Sequence, residues 1–257
     1  LEKHVVCTKN EADEPEKFDI FEEPKVKITW IGHSTFLLQG DGISVLTDPW
    51  FGRSLMMRRV RQPALTPEEI SACTVVLVSH GHEDHWDVQG MELARRLGSM
   101  VVAPPSVAQK ASKKGLLVTP SEAGKNLSVR GVNIEPVPAY HPAPGIKDAV
   151  GYMFQLGGRR IYFAGDTLFT SELQDVLTAY QIDVAMLPIG VFKLFGKKLV
   201  MDSNDAVKMA QAIKPRYFIP MHYGFLKGTK AQPELLSVLQ KSGIKVCFST
   251  PGVPFLI

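Results

Sequence analysis

Cysteine is scarce in this chain of 257 residues: Cys7, Cys73 and Cys247 stand far apart, with no Cys-x-x-Cys pair. That spacing excludes a disulfide framework and a cysteine-built structural zinc site. The thiols read as free, two of them within apolar strands, which suits a reducing, cytoplasmic compartment. Long apolar runs are also missing, and none approaches the roughly 18 residues that a transmembrane helix needs. Charge of one sign is lacking too: 29 Lys and Arg stand against 26 Asp and Glu, a net +3, and the lysines are dispersed along the chain. No nucleic-acid partner is expected from such a balance. The chain begins at Leu1 rather than Met, so a removed leader stays open. What remains is an ordinary globular composition, 45% apolar and 21% charged, in a chain long enough to bury a substantial core.

Residues 1–24 are polar, acid-rich and aperiodic and read as a surface arm, with a single domain over 25–257. Strand-like runs begin at Val26 and recur at Thr35–Gln39 and Ile43–Thr47, the last two joined by a Gly40-Asp41-Gly42 hairpin signal. Further along, Val88–Leu97 has helical spacing and stops at Gly98; Ser106–Lys114 is a second helix, and Leu116–Val118 a strand. The second half repeats the grammar, with helices at Ser171–Tyr180, Asn204–Ile213 (Ser203 as N-cap) and Pro233–Lys241. Its strands are Asn126–Tyr140 (more than one strand, ending at His141), Tyr152–Leu156, Arg160–Ala164, Val184–Leu187, Tyr217–Met221 and Lys245–Ser249. Hairpins mixed with strand–helix alternation fit two mixed sheets packed face to face, with helices outside.

The densest chemistry is His80-Gly81-His82-Glu83-Asp84-His85, directly after the apolar run Thr74–Ser79. It therefore lies at the carboxyl end of a strand, the edge where α/β proteins build sites. His141, Asp166 and His222 each follow a predicted strand as well. Of the seven histidines, five thus stand at strand exits together with two carboxylates. One histidine at a strand end is commonly structural; four separate exits bearing metal-type side chains point to metal. His80 and His82, two apart on extended backbone, can chelate one ion with His141. Asp84 and His85 lie past the bend, placed for a neighbouring ion with His222, and Asp166 can bridge. Two divalent ions roughly 3.5–4 Å apart can activate a shared water. Zinc is the first expectation, with manganese, iron or nickel also accommodated.

His80-x-His82-x-Asp84-His85, His141, Asp166 and His222 resemble, in order and spacing, the metal motifs of the metallo-β-lactamase superfamily. Trp30-Ile31-Gly32-His33-Ser34-Thr35 and Leu46-Thr47-Asp48-Pro49 look like the branch of the ascorbate-6-phosphate lactonases and N-acyl phosphatidylethanolamine phospholipase D. The resemblance covers about residues 26–250. It implies a four-layer αββα sandwich (an α/β fold) and a dinuclear hydrolase whose bridging hydroxide attacks a phosphodiester or a lactone or other ester. The true β-lactamases typically place a cysteine where Asp166 stands, which argues against antibiotic hydrolysis.

Asp84 is expected to serve catalysis as well as metal. His33 is either a substrate-binding group or proton donor, or a residue hydrogen-bonded within its own turn. The resemblance implies that Asp48 buttresses the metal loop; the alternative is a turn aspartate before Pro49. Trp50, Phe51, Trp86, Tyr140, Tyr223 and Phe225 flank these residues as core or as pocket wall. Gly190–Leu199 mixes bulky apolar residues with three lysines: a lid greeting an anionic or lipid-like small molecule, or a solvated connection. Rival readings are an iron-dependent oxidoreductase on the same fold, a nuclease, and a non-catalytic metal protein. Homo-oligomerisation is left open.

Overall fold

Two-residue turns with both residues at positive φ let strands double back without splaying. They occur at Asp41-Gly42 (φ 51° and 73°) and Gly157-Gly158 (55° and 69°), the two hairpins expected from the sequence. The computed structural model describes residues 26–53 and 57–257; the expected arm over 1–24, with Cys7, lies outside them. One sheet contains β1 (Lys27–Gly32), β2 (Thr35–Gly40), β3 (Ile43–Thr47), β4 (Val75–Leu77), β5 (Met100–Ala103) and β6 (Val118–Pro120), with the last strand of the chain, Phe255–Leu256, beside β1. The second is built from β7 (Leu127–Val129), β8 (Val132–Pro138), β9 (Val150–Leu156), β10 (Arg159–Phe163), β11 (Val184–Pro188), β14 (Tyr217–Met221) and β15 (Lys245–Val246). A separate hairpin pairs β12 (Lys193–Leu194) with β13 (Lys197–Lys198).

The two sheets bury one core between them, including Trp30, Phe36, Tyr152, Phe154 and Phe163. Helices α1 (Val88–Leu97) and α2 (Pro105–Lys113) cover the outer face of the first sheet through Leu93, Ala94, Val107 and Ala111. Helices α3 (Ser171–Thr178) and α4 (Ser203–Ile213) cover the second through Leu173, Leu177, Met209 and Ile213. The result is the expected αββα sandwich. Strands β3, β4 and β5 run parallel, as do β10, β11 and β14, so their carboxyl ends gather at one edge of the sandwich. Among the described residues no helix is long and apolar enough to cross a membrane, and Cys73 and Cys247 are buried.

Four local expectations are corrected. Leu116 does not begin a strand: its N–H closes the end of α2 on Ala111 O (3.2 Å), after Gly115 at φ 74°, and strand pairing starts only at Val118. The N-cap of α4 is Asp202, whose carboxylate accepts from Asp205 N at 3.0 Å. Ser203 is instead the first helical residue, its hydroxyl donating to Ile189 O and accepting from Gln232 N. Pro233–Lys241 divides into a 3-10 turn, Pro233–Leu236, and the short helix α5 (Ser237–Gln240). The strand expected over Lys245–Ser249 is regular only at Lys245–Val246.

Candidate metal centre

Each predicted ligand sits where a strand ends at the gathered edge. Strand β4 leads through Ser79 into His80–His85, β8 into His141, β10 into Asp166 and β14 into His222. The structure brings all seven of these side chains together. The ring nitrogens of His80, His82 and His141 lie within 4.8 Å of one another, and so do ligand atoms of His33, Asp84, His85 and His222. The two groups adjoin, with the His80 and His85 ring centroids 4.2 Å apart. Asp166 faces the second group: its Oδ2 lies 3.2 Å from His222 Nε2 and 3.4 Å from His85 Nε2.

Four of the rings are held in one way. Each directs Nδ1 outward to an oxygen: His80 to Ser79 Oγ (2.9 Å), His85 to Asp48 Oδ2 (2.7 Å), His141 to Leu199 O (2.8 Å) and His222 to Gly190 O (3.0 Å). Carbonyl and carboxylate oxygens only accept, and Ser79 Oγ donates its own proton to Asp48 Oδ2, so each Nδ1 carries the proton and every Nε2 is turned inward as a potential ligand. His82 instead presents Nδ1, which lies 3.0 Å from His80 Nε2 and 3.4 Å from His141 Nε2. Three lone-pair nitrogens aimed at one another need a cation between them. Asp84 Oδ1 and Asp166 Oδ1 are likewise buried without a hydrogen-bond partner, a costly arrangement unless a charge compensates it. The donor set therefore fits divalent metal.

Burial and charge treat the two groups differently. Burial pushes His80, His82 and His141 below the ordinary imidazole range, so these rings are neutral. Burial acts the same way on His85 and His222 and is the largest single influence, but the carboxylates together outweigh it, Asp166 and Asp84 at both with Asp48 added at His85, and raise them. In turn, the burial that would raise Asp84 and Asp166 is overcome, chiefly by His85 for Asp84 and by His222 and His85 for Asp166; both stay ionised.

Behind the loop, Asp48 accepts from Ser79 N (2.7 Å), Ser79 Oγ (2.6 Å) and His85 Nδ1 (2.7 Å), so the buttress reading fits its contacts and it is more than a turn residue. Ser79, which the sequence reading passed over, thus holds both Asp48 and His80; its only local signal was its place before the cluster. His33 is fully buried, with Nε2 3.2 Å from Asp84 Oδ2 and its ring 4.1 Å from that of His222. It sits behind Asp84 rather than on the pocket surface, and burial followed by His222 lowers its pKa to about 3. His33 (φ 54°), Asp48 (34°) and His222 (60°) are three of the seven non-glycine residues at positive φ among those described, so strain concentrates here. Gly190 is required for close approach, since a Cβ there would come within 2.0 Å of His222 O.

The pocket over Asp84 and Asp166 has apolar walls of Met57, Phe192, Leu199, Val200 and Leu226. Phe192 and Leu199 belong to the lysine-bearing stretch; Met57 and Leu226 carried no signal in the sequence. Of the flanking aromatics, Trp50, Phe51, Trp86 and Phe225 are core. Tyr223 packs half-buried against the core, its ring 5.0 Å from that of Trp30.

Residues 27–222 match the family model described as "Beta-lactamase superfamily domain". A UPF0173 metal-dependent hydrolase of Methanopyrus kandleri is 31% identical over 218 residues, 81% of this chain and 89% of the relative. Another, from Thermococcus kodakarensis, is 33% identical over 235 residues, covering 88% and 97%. Among solved structures, Igni18, a metallo hydrolase of Ignicoccus hospitalis, superposes with a TM-score of 0.76 at 27% identity, over 90% of this chain and 99% of that one. With the fold and the His/Asp edge on the same strands, the chain belongs to the metallo-β-lactamase superfamily, within the UPF0173 metal-dependent hydrolase family.

Proposed function

We propose that this chain is a metal-dependent hydrolase with two divalent ions, zinc foremost. His80, His82 and His141 would hold one ion, Asp84, His85 and His222 the other, and Asp166 would serve both. When bound, such a pair supplies Lewis acidity and a water of lowered pKa. The rest falls to the protein. Asp48 and Ser79 fix the tautomers of His85 and His80, and Asp84, ionised at neutral pH, can accept a proton at Oδ1, the oxygen that has no protein partner. The apolar walls keep bulk water from the reacting groups. His33, buried against Asp84 Oδ2, acts on Asp84 rather than on substrate.

The observation that carries this reading is the inward turn of four Nε2 atoms, each secured by an outward Nδ1 hydrogen bond, beside two buried carboxylate oxygens without partners. For substrate we propose a phosphodiester or a lactone or other ester. The Trp30–Thr35 and Leu46–Pro49 segments support this by their likeness to the lactonase and phospholipase branch. The test is a metal-replete screen over bis-(p-nitrophenyl) phosphate, lactones and acyl phospholipids, with metal content measured alongside. Two ions per chain and hydrolysis lost in Asp84→Ala are expected. Full activity in that variant, or saturation at less than one ion, would overturn the assignment.

A further inference from the structure

The rim of the pocket is made from three segments that the fold ties together. Val60 N donates to Phe225 O at 2.7 Å and Lys227 N to Arg58 O at 2.8 Å; Val191 and Lys230 exchange backbone hydrogen bonds of 2.9 and 3.1 Å. Residues 57–62, 190–200 and 223–232 contain no Asp or Glu. They expose Arg58, Arg61, Lys193, Lys197, Lys227 and Lys230, cations that are far apart in sequence. Six exposed cations thus stand on these three segments with no acidic residue among them.

At the tip of the β12–β13 hairpin stands Phe195, 96% exposed. It occupies the first position of a two-residue turn, at φ 49°, followed by Gly196 at 79°. Such turns call for Asn, Asp or Gly; a phenylalanine held there gains nothing from the turn and nothing from packing. It is flanked by Lys193 and Lys197, while Val60, 55% exposed, lies on the neighbouring rim segment. An aromatic tip between lysines matches the zone where acyl chains meet anionic headgroups: the ring enters the apolar layer and the ammonium groups stay with the phosphates. A single-stranded nucleic acid would want several stacking faces along a track, and this rim offers one.

We infer that this rim docks the protein onto anionic membrane surfaces, with Phe195 as its inserted anchor. The docked orientation sets the apolar pocket mouth against the bilayer, so an amphiphilic substrate can enter without crossing water. That consequence rests on the hydrolase reading, whereas the docking does not.

The test is co-sedimentation of the full chain with vesicles of phosphatidylcholine alone and of phosphatidylcholine mixed with phosphatidylglycerol, without substrate. Binding to the mixed vesicles only, weakening as salt rises, is expected. Phe195→Ser should weaken it about tenfold, and Lys193→Glu with Lys197→Glu by more than that. Phe195 has almost no contacts to lose, so unchanged melting and metal content will show that the variant is folded. Absence of vesicle binding, or binding indifferent to Phe195→Ser, would overturn the proposal. Two other results would do so: tighter, salt-dependent binding of a single-stranded oligonucleotide, or a self-association that Phe195→Ser abolishes. Vesicle binding without hydrolysis would sink the catalytic reading alone, and hydrolysis of soluble esters without vesicle binding would sink only the docking.

Discussion

The two halves of the metal centre are built from the same side chains but held in opposite states. His80, His82 and His141 are neutral, with burial dominating; His85 and His222 hold their protons against Asp84 and Asp166. The imidazole half turns three lone pairs toward one point. In the carboxylate half Asp84 and Asp166 favour the protonated form of His85 and His222. Metal would complete the first and displace the protons of the second. What distinguishes the halves is therefore not the ligand type alone but which charges face each ring.

The strongest way to break this comparison is to remove one side chain from each half. Asp84→Ala is expected to lower kcat/KM about a thousandfold with the fold intact, because it deletes both a proposed ligand and the buried carboxylate oxygen facing the pocket. His141→Ala should likewise cost one ion per chain while the carboxylate half keeps its own. Metal analysis of the two variants checks this; loss of both ions in both variants would mean that the halves are one site.

Next comes the support behind the carboxylate half. Asp48→Asn leaves one oxygen to accept from three donors, Ser79 N, Ser79 Oγ and His85 Nδ1. Such a change is expected to weaken metal binding about 10–100-fold. A competition titration with a chelator will read it, and unaltered affinity would return Asp48 to a purely structural role.

The halves should also differ in their response to pH. Against burial, the surrounding carboxylates raise His85 and His222 above the ordinary imidazole value, so both hold their protons to higher pH than a free imidazole; metal binding there would expel them, and affinity climbs as pH rises. Each released proton is worth about tenfold per pH unit. The lowered rings of the other half are already neutral, and that ion should bind with little pH dependence near neutrality. Calorimetry in buffers of different ionisation enthalpy counts the protons; equal release from both sites would contradict the assignment.

How much of this was legible in advance follows the range of the interactions. The His80–His85 cluster could be read because its ligands are packed into six residues after an apolar strand, and His141, Asp166 and His222 because each ends a recognisable run. The αββα layering followed from hairpins alternating with helices. Long-range contacts stayed hidden. Phe255–Leu256 pairs with β1 across nearly the whole chain and has no local periodicity. Ser79 gains its role only when β3 delivers Asp48 beside it. The basic rim is invisible in sequence because its cations come from three separate segments.

His33 tests the comparison most finely, because it touches the carboxylate half alone. The ring is wedged between Trp50, His85 and His222, and its Nε2 faces Asp84 Oδ2. Its backbone at φ 54° is a conformation that asparagine tolerates. Its carbonyl accepts from Trp30 Nε1 and from His222 N, contacts that a substitution preserves if the turn survives. His33→Asn should therefore keep the fold and leave the smaller amide imperfectly placed against Asp84. The expected cost is a few-fold to about tenfold in kcat with KM nearly unchanged, since the residue does not line the pocket. His33→Ala should cost more, through the cavity it opens beside His222. A group that bound substrate would move KM instead, and one that delivered the leaving-group proton would lose one limb of the pH–rate profile. A kcat effect in His33→Asn with both limbs retained would separate positioning of Asp84 from either role.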